Sequence, residues 1–72
     1  MESAKQLDFT LTKRIAKRMT LEALKYTIKD CWEACQMAEK IERAGLRTLK
    51  SGGYYRDEGS VYRAELARRR TA

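Results

Sequence analysis

The 72-residue chain predicts an all-α protein, and three observations carry that prediction. Apolar residues recur at steps of three and four from Leu21 to Ile41, proline is absent from the whole chain, and Ser51-Gly52-Gly53 separates this periodic stretch from a second one. The architecture that follows is a long central helix with a short basic helix before it. A C-terminal helix folds back on the central one as a helical hairpin, and dimerisation completes a bundle. One small domain spans residues 1–72, with a loose lead-in over 1–9 and the hairpin turn at 51–54.

The central helix is predicted over Thr20–Ala44. Leu21, Leu24, Ile28, Cys31, Cys35, Ala38 and Ile41 form its seam, with Trp32 beside it. Thr20 can cap its start, where Glu22 also suits the helix dipole. Lys40 and Arg43 suit its end, and Gly45 is the residue type that can take the left-handed stop conformation. At 1.5 Å per residue such a rod is roughly 37 Å long, more than one compact domain of this size needs. Its seam therefore calls for cover from outside, and pairing of two chains supplies it.

Before this helix, Leu11, Ile15 and Met19 recur at steps of four, with Lys13, Arg14, Lys17 and Arg18 on the other faces. This is a basic amphipathic helix capped by Thr10 or Thr12, with a break near Thr20 favoured over a continuous rod. Beyond the glycine pair, Tyr55, Gly59, Tyr62 and Leu66 share a face at steps of four, three and four, with Tyr54, Val61 and Glu65 alongside. Gly59 either weakens that helix or permits a close approach to its neighbour. Leu46 and Leu49 can add a further turn after Gly45.

The chemistry of catalysis is missing from the sequence. There is no histidine, so Cys31 and Cys35 lack the further ligands a metal needs and are read as reduced, small apolar packing residues. Asp30 with Glu33 and Asp57 with Glu58 would need a cleft to act as acid and base. Surface pairing is the better reading: Glu22 with Lys25 and Tyr26, Lys29 with Glu33, Glu39 with Arg43, and Glu58 with Arg63. Ser51-Gly52-Gly53 lacks the lysine and the preceding strand of a phosphate loop. No catalytic residue, cofactor or metal is expected. No apolar run could cross a bilayer and the N-terminus has no apolar export core, so a cytoplasmic protein with no membrane partner is expected.

Charge is the remaining clue. Sixteen Lys and Arg against ten Asp and Glu leave a net charge of +6, gathered in two clusters. Lys13, Arg14, Lys17 and Arg18 make one; Arg63, Arg68, Arg69 and Arg70 make the other, and a fold-back at Gly52 brings both to one end. These eight are the candidate nucleic-acid contacts. A helix-turn-helix would place Ile41 where a small residue is needed and Ser51 where an apolar anchor belongs. A basic zipper needs uninterrupted leucine heptads after its basic region.

Two functions stay open. The first is a small non-enzymatic helical interaction or regulatory protein, a homodimer that binds a protein partner, with Leu21, Leu24, Ile28, Cys31, Trp32, Cys35, Ala38, Ile41, Tyr62 and Leu66 as the candidate helix-interface residues. The second is a nucleic-acid-associated protein that contacts phosphate backbone through its basic clusters.

Overall fold

The computed structural model describes residues 6–71 and is all-helical over them: α1 (Phe9–Arg18), α2 (Leu21–Arg43) and α3 (Gly52–Thr71), with no strand among the described residues. None of these helices is long and apolar enough to cross a membrane. Residues 1–5 of the expected lead-in lie outside the described residues, and Phe9, placed at its end, already belongs to α1.

Local chemistry explains each helix end. The cap of α1 is Asp8 rather than Thr10 or Thr12: its carboxylate accepts from the Leu11 N–H at 3.0 Å, and Thr12 Oγ1 donates to the Asp8 carbonyl at 2.7 Å. The backbone then extends through Met19 and Thr20, which separates α1 from α2. The Thr20 hydroxyl accepts from the Ala23 N–H at 3.1 Å and caps α2. At the far end Gly45 takes φ +82°, its N–H donates to Glu42 O at 3.0 Å, and Leu46 N–H donates to Ile41 O at 3.2 Å. These are the paired bonds of a Schellman stop, which satisfy carbonyls the helix leaves open.

The expected turn at 51–54 is displaced. The chain reverses over residues 44–51, Leu46 and Leu49 add no helical turn, and Gly52 and Gly53 are the first residues of α3. Ser51 caps that helix, its hydroxyl accepting from the Tyr54 N–H at 3.1 Å. Gly52 is a glycine because of its neighbours: a Cβ there would lie 2.6 Å from Glu39 Cγ, while its N–H donates to Glu42 Oε1 at 3.2 Å. Gly59 differs, since a Cβ would meet Cys31 Cβ at an ordinary 3.5 Å. Gly59→Ala is therefore expected to raise stability by about 0.5–1 kcal/mol in urea unfolding, whereas Gly52→Ala should lower it by about 1–2 kcal/mol.

The course of α3 follows from its contacts. It begins where Gly52 O accepts from Cys35 Sγ, passes Cys31 at Glu58, and ends where Arg69 reaches Met19. The seam of α2 is thus covered from within the chain: Leu24, Cys31, Cys35 and Ala38 are buried and Ile28 and Ile41 half-buried. This corrects the expectation that the whole seam needs outside cover, and the reason is that α3 runs along most of it. Leu24, Cys31, Val61, Tyr62 and Ala16 form one cluster, with Leu7, Met19, Ile28 and Leu66 packed against it.

The orientation of α1 departs from its apolar stripe. Thr12 and Ala16 are its buried residues, while Leu11 and Ile15 remain 48% and 46% exposed. Small side chains let α1 approach α3 closely, and that geometry leaves the larger apolar ones outside. Trp32 at 57%, Leu21, Met37, Leu46 and Leu49 are exposed as well. Of the expected surface pairs, Glu39 with Arg43 forms at 3.7 Å. Glu22 with Lys25, Lys29 with Glu33 and Glu58 with Arg63 are not among the ion pairs of the described residues.

Candidate functional site

The end of the molecule where α1 meets α3 holds its densest polar network, and Glu65 is the hub. This carboxylate sits on the buried face of α3, its side chain 5% exposed, and two arginines of the next helical turn close on it. Arg68 donates through Nε at 3.0 Å and NH2 at 2.7 Å, and Arg69 donates through Nε at 2.7 Å. The forks of Arg68 and then Arg69 hold the Glu65 carboxyl down at about 2.

Arg69 also reaches across to α1. Its terminal NH2 nitrogen is shared among the carbonyls of Ala16 at 3.0 Å, Lys17 at 3.3 Å and Met19 at 2.8 Å. Those carbonyls lie at the end of α1, where a helix leaves acceptors unpaired and its dipole is negative. One guanidinium thus caps α1, ties it to α3 and compensates a buried carboxylate. Arg69, one of the eight candidate nucleic-acid contacts, is engaged within the fold. The signal for another role was the Glu65-x-x-Arg68-Arg69 spacing, which sets both arginines over a carboxylate on the buried face.

Beside this clasp runs a shallow groove of about 160 Å³. Ala16, Val61 and Ala64 make its apolar floor, Glu65 contributes to a wall, and Lys13, Lys17 and Arg68 form a cationic rim. Members of the two basic clusters therefore do share one site. Arg14, Arg18 and Arg70 are exposed and do not line that groove, and Arg63 lies elsewhere, against a second groove beside Trp32, Cys31 and Cys35.

The thiols in that second region are engaged. Cys31 Sγ donates to Glu58 Oε1 at 3.3 Å; Cys35 Sγ lies 3.3 Å from both Glu39 Oε1 and Gly52 O. Burial, reinforced by the Glu58 carboxylate, pushes the Cys31 thiol up to about 12, and burial followed by Glu39 raises Cys35. Glu39 is itself lowered by the Cys35 thiol and by Arg56, with which it pairs. A thiol must ionise to react, so both cysteines are expected to resist a disulfide reagent at pH 8 in the native chain and to label in step with unfolding by urea. Rapid native labelling would contradict this. Among the described residues, no three Cys, Asp or Glu side chains converge on a metal-sized site.

The aromatic residues divide. Tyr62 is buried in the core, while Tyr54 and Tyr55 are half-buried and meet edge to face with centroids 5.8 Å apart. Lys50 Nζ stands 5.1 Å over the Tyr54 ring. Of the ten candidate interface residues, Tyr62 and Leu66 pack within the chain with the α2 seam, and Leu21 and Trp32 stay exposed at one flank of α2. Comparison with family models, curated proteins and solved structures gives no match.

Proposed function

We propose that this chain is a non-enzymatic helical interaction protein that pairs with a second copy of itself and binds a protein partner. The observation that carries the reading is an inversion of size. Among the described residues Leu24 is the one large side chain fully buried, while Leu11, Ile15, Leu21 and Trp32 are about half exposed. Exposed apolar side chains of this size beside so thin a core support an interface reading.

The pairing face is the flank of α2 that bears Leu21, Ile28 and Trp32 at steps of seven and four. Charge permits two copies to meet there. Within α2, Glu22, Asp30, Glu33, Glu39 and Glu42 oppose Lys25, Lys29, Lys40 and Arg43, so this helix is nearly neutral in a chain of +6. Catalysis finds no support in the carboxylates. The shifted ones are both lowered, Glu39 by the Cys35 thiol and then Arg56, Glu65 by Arg68 and Arg69, the opposite of what a general acid needs.

Trp32 is the single tryptophan and tests the face directly. In a dimer its emission is blue-shifted and shielded from acrylamide, and dilution moves it to the red. Unchanged emission and quenching across the dilution series would place the pairing face elsewhere.

A second reading, backbone contact with nucleic acid, is favoured by Lys13, Lys17 and Arg68 sharing one rim. Its test is a salt series with a generic duplex and a generic RNA: affinity that falls steeply as salt rises, and that is lost when Lys13, Arg14 and Arg68 are neutralised, supports it. Insensitivity to those changes removes it.

A further inference from the structure

The α1–α3 groove joins a cationic rim, which a phosphate backbone could use, to an apolar floor, which it would leave empty. We propose that it binds an acidic protein segment bearing one bulky apolar side chain. That side chain occupies the slot over Ala16, Val61 and Ala64, and flanking carboxylates pair with Lys13 and Lys17. The assignment deepens the interaction reading above and rests on it, since it names the chemistry of the protein partner.

Size, charge and lining argue for this occupant together. A cavity of about 150 Å³ holds a benzene ring, so the groove's volume of about 160 Å³ suits one Phe or Leu side chain. Three cations and one carboxylate line it. Glu65 is already answered by Arg68 and Arg69, and Lys13 and Lys17 are exposed and form no ion pair among the described residues. The rim thus offers two unspent ammonium groups above an apolar floor. A second copy of a +6 chain meets repulsion at this rim. A nucleic-acid strand brings phosphates to Lys13 and Lys17 but nothing for the alanine and valine floor, and no aromatic ring lines the groove for a base to stack on. An acidic segment with one apolar anchor fills both parts, as helix-in-groove partners do.

The test titrates the full chain into a fluorescein-labelled peptide of glutamates around one phenylalanine, and reads anisotropy at low salt. The same peptide with alanine in place of phenylalanine and a short single-stranded oligonucleotide run beside it. The phenylalanine peptide is expected to bind one per chain and at least about tenfold more tightly than the alanine peptide. The double variant Lys13→Glu, Lys17→Glu and the groove-filling Ala64→Phe should each weaken it at least about tenfold, with helical circular dichroism and thermal midpoint retained. Ala64→Leu is a milder plug should the larger ring disturb folding. Equal affinity of the two peptides, indifference to both Ala64 variants, or tighter binding of the oligonucleotide overturns the proposal. Failure of peptide binding by a chain that still dimerises removes the groove assignment alone. Peptide binding by a chain that stays monomeric removes the pairing and leaves the groove.

Discussion

Leu24→Ala should leave the chain largely unfolded at 25 °C, with a loss of about 3–4 kcal/mol. Leu24 is the largest side chain with no exposed surface, and it lies in the cluster where Ala16 of α1, Cys31 of α2 and Val61 and Tyr62 of α3 come together. Truncating such a residue removes its transfer free energy and leaves a cavity, and buried Leu→Ala changes cost about 3–5 kcal/mol. A core of this size rarely supplies more than that in total. Thermal unfolding followed by circular dichroism at fixed chain concentration checks it. A midpoint lowered by only a few degrees would mean that Leu24 is not where the three helices are held together.

Arg69→Ala should cost about 2–3 kcal/mol and should release α1 first. The substitution strips hydrogen bonds from the carbonyls of Ala16, Lys17 and Met19 and leaves Glu65 to Arg68 alone. A charge-assisted hydrogen bond is worth about 1.5–3 kcal/mol. Arg69 is about three-quarters buried, so water replaces these bonds poorly. Arg69→Lys should recover only part, because an ammonium cannot fork between a carboxylate and three carbonyls. Amide exchange reads this regionally: protection of α1 falls while the α2–α3 contact keeps its own. Uniform loss, or none, would contradict the clasp.

The same network sets an acid dependence. The Glu65 carboxyl is held at about 2 instead of its ordinary 4.5, so its folded pKa lies below its unfolded one. A group of this kind stabilises fully above the unfolded value and loses its contribution as pH falls toward the folded one. The thermal midpoint should therefore drop between about pH 5 and pH 2, and in Glu65→Gln that part of the drop should vanish.

What was legible in the sequence was what depends on neighbours along the chain. Thr20 and Gly45 act on backbone groups within a few residues, and both ends of α2 fall where their chemistry puts them. The seam from Leu24 to Ala38 was legible too, because one helical period fixes it. The rest depended on distant partners. Gly52 and Gly53 read as a turn because glycine usually marks one, yet Gly52 answers to Glu39 and Glu42 on another helix. Of the Leu11–Ile15–Met19 stripe only Met19 packs against the core, since α3 approaches α1 over Thr12 and Ala16 and leaves Leu11 and Ile15 half exposed. Arg69 looked like one cation among eight until its partners, 50 to 53 residues away, came into contact. Of the candidate nucleic-acid residues, Lys13, Lys17 and Arg68 meet at one groove; nothing along the chain separates Lys13 and Lys17 from Arg14 and Arg18.

Sedimentation equilibrium of the full chain over a wide concentration range bears most directly on the pairing of two copies through the open flank of α2. A mass approaching twice the 8.4 kDa of one chain, returning to a single chain when Leu21 and Trp32 are both changed to glutamine, is the predicted result. A mass of one chain at every concentration, with the helical signal intact, would contradict it.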